Sequence, residues 1–250
     1  MSAWRERLRR GVEALGYTVH RWPANRFDGM RDALTVLRAA GYAPRIVIDC
    51  GANVGQWAGI ARSLFPAAVL HLVEPQPACE AQLRAFAART PRVMFHPVAV
   101  TEPAISHVRM IGGGVPGGGS GAFVALRGEA APNEVECPAT TLDELFAERV
   151  APADRALLKL DLEGHEVSAL SGAARLLSSI EVVLSEVHFY EVERNGRPLM
   201  TDVLAFLDKR GFELYDFACL NSRPRDNRLR SGDAIFVQRQ SPLAGDRSWA

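Results

Sequence analysis

From Arg45 onward the apolar residues fall into short β-branched runs, and stretches with helical periodicity separate them. RIVIDC and VLHLVE have the length and composition of strands buried on both faces. Gln56 to Phe65 supplies a helix between them, and Pro77 to Arg89 supplies another before VMFHPVAV, a third strand with a proline break. The alternation resumes with ALLKLDLEG as a buried strand, Glu166 to Leu177 as a helix, EVVLSEVHF as a strand and Met200 to Arg210 as a helix; FELYDF and AIFVQR close it. Such βαβ alternation predicts an α/β domain over residues 45–240 with a mainly parallel sheet and right-handed crossovers. The loops after the strands then share one edge of the sheet, which is where ligands bind.

Two stretches break this rhythm. Residues 1–44 read as a helical N-terminal extension packed on the core: Trp4, Leu8, Val12 and Leu15 recur at helical spacing, as do the apolar residues from Met30 to Ala40. Arg5, Arg7, Arg9 and Arg10 read as the solvated face of an amphipathic helix rather than a membrane-binding or partner-binding one. Residues 101–140 form a glycine-rich insert, with strand-like runs (ISHVRMI, GAFVAL, VECPATTL) flanking the flexible loop IGGGVPGGGSGAF. No Gly-Lys-Ser/Thr follows these glycines, so a P-loop is excluded and a mobile lid or acceptor loop is expected. Residues 241–250 read as a tail, and there is no internal repeat.

Composition narrows the class. With 48% hydrophobic and 23% charged residues the chain is neither disordered nor fibrous, and 250 residues suit one large domain. The 29 basic and 29 acidic residues cancel, which removes the field of a general nucleic-acid binder. Cys50, Cys79, Cys137 and Cys219 are dispersed, without the CxxC spacing of a zinc or redox site. Neither a signal peptide nor an apolar run of about 18 residues is visible, so a cytoplasmic protein without a membrane span is expected.

The strongest chemical signal is Asp49-Cys50-Gly51-Ala52-Asn53-Val54-Gly55 at the end of the first strand. Gly51 and Gly55 let the backbone turn sharply, and the next helix offers its N-terminal N–H groups. The dinucleotide fingerprint would need glycine where Asn53 and Gln56 stand, so a nucleoside without a pyrophosphate fits better. Glu74 closes the second strand at the spacing of a ribose-binding acid.

Taken together, VIDCGANVGQW, LVEPQP, HPVAV, TTLDEL, LLKLDLEGHEVSALSGA and SEVHF resemble the FkbM family of class I methyltransferases over roughly residues 45 to 238. The resemblance implies a Rossmann-like sheet of about seven mainly parallel strands with the last antiparallel. It also implies S-adenosylmethionine as donor, and methylation of a hydroxyl oxygen on a natural product, sugar or glycolipid. By position it makes Gly51, Asn53 and Gly55 the cofactor loop, Asp49 its leading acid and Glu74 the ribose-binding acid. Val98, Ala99 and Val100 match the segment beside the adenine, and Lys159, Asp161, Glu163 and Gly164 match the family signature. An N-methyltransferase on the same scaffold and a non-catalytic S-adenosylmethionine-binding module are the alternatives. The expected partner is a small or lipid-linked hydroxylated acceptor.

Asp161, Glu163 and His165 follow one strand, while Glu186 and His188 end the next. Adjacent strands lie about 5 Å apart, so these groups can converge at the ligand edge. Removing a hydroxyl proton needs a base, and His188 is the preferred one, with Asp161 and Glu163 as its catalytic partners. Structural roles compete: Lys159 and Asp161 as a buried pair, Glu163 as a helix cap, His188 as a hydrogen-bonding residue. Asp161, Glu163, Glu186 and His188 are also a donor set for Mg²⁺ or Mn²⁺, a less favoured mechanism, and no residue is assigned as a metal ligand. Arg223, Arg225, Arg228 and Arg230 read either as solvated loop charges or as a grip on an acidic or phosphorylated acceptor.

Overall fold

A computed structural model describes residues 11–12, 14–15, 25–112, 121–126, 133–191 and 196–245. Most of the expected first helix, including Trp4 and Leu8, and the glycine run 113–120 lie outside the described residues. Helix α1 (Arg26–Ala39) opens at Asn25, whose side chain accepts the Phe27 and Asp28 N–H groups while Asp28 reaches back to the Asn25 N–H. It buries Met30, Leu34 and Leu37 along one face.

Strands β1 (Ile46–Cys50), β2 (Val69–Val73) and β3 (Val93–His96) alternate with helices α2 (Gln56–Leu64) and α3 (Pro77–Arg89). Next come β4 (Ala99–Val100), β5 (His107–Ile111), β6 (Phe123–Val124) and β7 (Val135–Thr140), which make a four-stranded sheet of order β4-β7-β5-β6. Helix α4 (Leu142–Phe146) leads to β8 (Ala156–Leu160), α5 (Glu166–Ser171), β9 (Ile180–His188), α6 (Met200–Asp208), β10 (Phe212–Ser222) and β11 (Leu229–Gln238). The main sheet has seven strands in the order β10-β11-β9-β8-β1-β2-β3, with the final strand, β11, inserted antiparallel to both β9 and β10. That is the Rossmann-like arrangement of class I methyltransferases.

One apolar cluster joins α1, α2 and α3 to one face of the sheet, and a second joins α4, α5 and α6 to the other. The long third strand expected from VMFHPVAV is two strands: Pro97 has no N–H to donate, the ladder with β2 stops at His96, and Ala99 and Val100 pair instead with Ala139 and Thr140. The helix expected to reach Leu177 stops at Ser171, where the N–H groups of Gly172 and Ala173 turn to carbonyls three residues back, and Gly172 packs against the Thr101 carbonyl so closely that a Cβ would lie 2.1 Å from the oxygen. A 3₁₀ turn, Leu176–Ser179, completes the segment. The closing strands run several residues beyond FELYDF and AIFVQR as one long hairpin. Past β11 the chain stays on the core, with Leu243 and Ala244 buried. Among the described residues, no helix is long and apolar enough to cross a membrane.

Candidate active site

A cleft of about 310 Å³ opens at the carboxyl ends of β1, β2 and β8. The small sheet closes one side with Val98, Ala99, Val100, Met110, Ala122 and Val124, and the start of α1 adds Arg26 and Phe27. Gly51, Asn53, Glu74, Val98 and Ala99 of the expected cofactor set line it. Asp49 and Gly55 do not line it. Asp49 is buried, and Lys159 Nζ donates to its Oδ1 at 2.9 Å. Gly55 caps α2 with φ at 84°.

The loop between β1 and α2 owes its shape to left-handed backbone at Gly51, Asn53 and Gly55. The end of β1 lies so close to the end of β8 that a Cβ on Gly51 would sit 2.0 Å from the Asp161 carbonyl oxygen. Glu74 is buried at the loop's edge. Its Oε2 accepts the Asn53 N–H at 2.8 Å and its Oε1 the Gln76 N–H at 3.0 Å. Burial pushes its pKa up, while these two N–H groups pull it back. The Gln76 side chain donates to this carboxylate as well and lowers its pKa further.

At the other end the carboxylate oxygens of Asp161, Glu163 and Glu186 lie within 4.8 Å of one another. Arg26 reaches among them: Nη2 is 3.4 Å from Asp161 Oδ2, Nη1 is 3.5 Å from Glu186 Oε1, and Nε donates to Asp233 Oδ2 at 3.3 Å. Lys159 Nζ is 3.4 Å from Asp161 Oδ2. Burial works against both cations, but the surrounding carboxylates outweigh it and raise their pKa values. Burial also opposes ionisation of Asp161, yet Lys159 and Arg26 hold it below the usual carboxylate range. Glu186 goes the other way, pushed well above that range by burial and by the charge of Asp161. Among the described residues its Oε2 has no hydrogen-bond partner.

Glu166 supports this loop from below, accepting the Leu162 and Gly164 N–H groups at 2.9 and 3.3 Å. Burial pushes its pKa up to about 7. His165, 3.0 Å from Thr101 Oγ1, is held neutral by burial, which lowers its pKa to about 4.

The structure thus brings Asp161, Glu163 and Glu186 together as the strand ends suggested, but sets His188 apart. Asp161 follows the last β8 residue, Leu160, which pairs with Ser185, so Asp161 is level with Glu186. His188 lies two residues further along β9, about 7 Å on, opposite Ser231 of β11; neither it nor Glu186 lines the cleft itself. The arginines of the β10–β11 turn do not line it either. Arg223 pairs with Asp226, and Arg228 and Arg223 lie over the Tyr190 ring at 4.0 and 5.7 Å. Two residues escaped the sequence reading, Arg26 and its anchor Asp233. The available signal was an arginine at the first position of a capped helix, where the macrodipole disfavours a cation unless acids receive it.

The sequence matches the methyltransferase FkbM domain over residues 49–214. The chain belongs to the FkbM methyltransferase family. S-adenosylmethionine is the methyl donor for such a domain, and the cleft suits it, with a buried ribose-type carboxylate, a glycine loop and an apolar wall. No curated protein matches the sequence at a significant level. Among solved structures, an FkbM methyltransferase from Methylobacillus flagellatus KT is similar, at 16% identity and a TM-score of 0.48, over 78% of this chain and 43% of that one. This FkbM domain therefore spans under half the length of that protein. It is also similar to a magnesium protoporphyrin IX methyltransferase from Synechocystis PCC 6803 with bound S-adenosylmethionine (13% identity, TM-score 0.46, 85% and 79% of the two chains). A third similar structure is an rRNA methylase from Streptococcus thermophilus (12% identity, TM-score 0.47, 86% and 96%).

Proposed function

We propose that this FkbM domain methylates a hydroxyl oxygen of a small or lipid-linked acceptor, such as a natural product, sugar or glycolipid. The observation that carries the reading is that one cleft has a buried carboxylate, Glu74, at its nucleoside end and Asp161 and Glu163 at the other. When bound, S-adenosylmethionine supplies an electrophilic methyl group on a sulfonium. The chain's residues bind and orient. Glu74 accepts from the ribose diol, the backbone from Gly51 to Gly55 encloses the nucleoside, and Val98 and Ala99 give an apolar wall to the base.

Displacement at a methyl carbon needs alignment and loss of the hydroxyl proton. Asp161 and Glu163 line the cleft, so in this reading the proton passes to a carboxylate, with Asp161 as the acceptor held ionised by Lys159 and Arg26. Calorimetry should show binding of S-adenosylmethionine and its demethylated product, and no binding of NAD. Glu74→Ala should weaken that binding by about 1.5 to 3 kcal/mol, the value of a hydrogen bond to a charged group. Asp161→Asn should lower turnover by about 10²- to 10⁴-fold. His188→Ala should turn over near normally. Transfer of labelled methyl to an amine in preference to a hydroxyl, in a panel of acceptors, would overturn the oxygen assignment.

A further inference from the structure

The acidic group at the acceptor end of the cleft has the outline of a divalent-cation site. Three carboxylates from two strand ends present oxygens within 4.8 Å of one another, the spread that hard cations bridge. The third of them, Glu186, is buried, and its Oε2 has no hydrogen-bond partner among the described residues. A guanidinium, however, already stands between two of the three, and it comes from a distant part of the chain.

We propose that Arg26 is the resident cation of this site: its guanidinium takes the place between Asp161 and Glu186 that Mg²⁺ or Mn²⁺ would take, and holds the acceptor's reacting oxygen there. The positioning is built rather than incidental. The Asn25 and Asp28 capping box fixes Arg26 at the first turn of α1. Asp233, almost fully buried on β11 and level with Glu186 of β9, grips the guanidinium through Nε and Nη2. A planar fork held on one edge by a buried carboxylate keeps its remaining N–H groups in fixed directions, as a bare ammonium would not. Arg26 itself lines the cleft, within reach of an acceptor. The N-terminal helix therefore belongs to the active site, and the site uses no divalent ion. The role toward the acceptor rests on the proposed methyl transfer to oxygen; the exclusion of metal does not.

The test is a Mn²⁺ titration of the full chain without nucleotide, read by the loss of the free-ion signal in electron paramagnetic resonance. Wild type and Arg26→Lys should bind Mn²⁺ at this site at least tenfold more weakly than Arg26→Met, which removes the charge but keeps the apolar stem. Adding Glu186→Gln to Arg26→Met should abolish the gained site. A wild-type Mn²⁺ site that Glu186→Gln removes would overturn the proposal, and so would an Arg26→Met protein that gains none. Calorimetry with S-adenosylmethionine runs in parallel. Affinity kept within about threefold shows each variant folded, and Arg26→Gln replaces Arg26→Met if the latter loses it. Failure of wild type to bind S-adenosylmethionine would count against the methyltransferase reading alone, since the Mn²⁺ comparison does not depend on it.

Discussion

Gly51 and Gly55 share a left-handed backbone with φ of 79° and 84°, yet their surroundings differ. A Cβ on Gly55 would make ordinary contact with Leu83 at 3.5 Å, so Gly55→Ala carries only the conformational cost of about 1 to 2 kcal/mol. A Cβ on Gly51 would lie 2.0 Å from the main-chain oxygen of Asp161, which cannot rotate aside as a side chain would. The Asp161 N–H is also bonded to the Cys50 carbonyl, so the two strand ends must separate together. Gly51→Ala should therefore cost overpacking as well, about 2 to 5 kcal/mol in total, and displace Asp161 and the Lys159 pair. Urea denaturation with calorimetry distinguishes them: Gly55→Ala should keep its S-adenosylmethionine affinity within about tenfold, a range of 1.4 kcal/mol, and Gly51→Ala should lose it. Equal costs at the two positions would mean that the loop relaxes independently of β8. Gly51 thus acts through the joint between two strands more than by leaving room for a ligand.

Helix α1 shows the same logic at the scale of an element. Replacing a glycine inside a helix by alanine normally stabilises by about 0.5 to 1 kcal/mol. At Gly29 the sign should reverse, because a Cβ there would lie 2.3 Å from the Ala218 carbonyl oxygen of β10. Gly29→Ala should lift α1 from β10, loosen Arg26, and raise hydrogen exchange along Met30 to Leu37; unchanged protection would show that the close approach is dispensable. This docking was not legible in the chain, for Arg26 and Asp233 are 207 residues apart and neither carries a motif. Elements with local causes were legible. Pro77 at the first turn of α3 marks its start, and the apolar runs of β1, β2, β8 and β9 mark a sheet buried on both faces. The split after His96 was half legible: Pro97 announced a break, but only the pairing of Ala99 with Ala139 shows that the chain changes sheets. The length of β10 was hidden because its outer half is exposed or half-buried and alternates no apolar residues. In the site, the carboxylates of Asp161 and Glu186 could be aligned from strand ends, whereas the position of His188 depended on a register that spacing does not reveal.

At the scale of the whole molecule, buried titratable groups set opposite pH dependences. His71, 3.0 Å from His96 and packed on Phe146, is held neutral, its pKa lowered to about 4 by burial and then by His96. His165 is lowered to about 4 in the same way, by burial and then by Arg197. A histidine near 6.5 when unfolded and near 4 when folded contributes stability above 6.5 that is lost as pH falls toward 4. Glu166 has the opposite sign. Its pKa rises from 4.5 to about 7 on folding, so the native state binds the extra proton, and its contribution is complete below 4.5 and lost as pH rises through about 7. That loss is on the order of 3 kcal/mol at full extent, taking 1.36 kcal/mol per pH unit. Glu166→Gln keeps an acceptor oxygen for the Leu162 and Gly164 N–H groups and removes the buried charge. It should therefore leave stability at pH 4.5 near wild type and raise it at pH 8 by an amount of that order, steepening the climb that the histidines produce between pH 4 and 6.5. Urea denaturation at pH 4.5, 6 and 8 reads this directly. A uniform shift at all three values would show that Glu166 acts through packing, and a loss at pH 8 would show that its ionised form is what the loop around Asp161 and Glu163 requires.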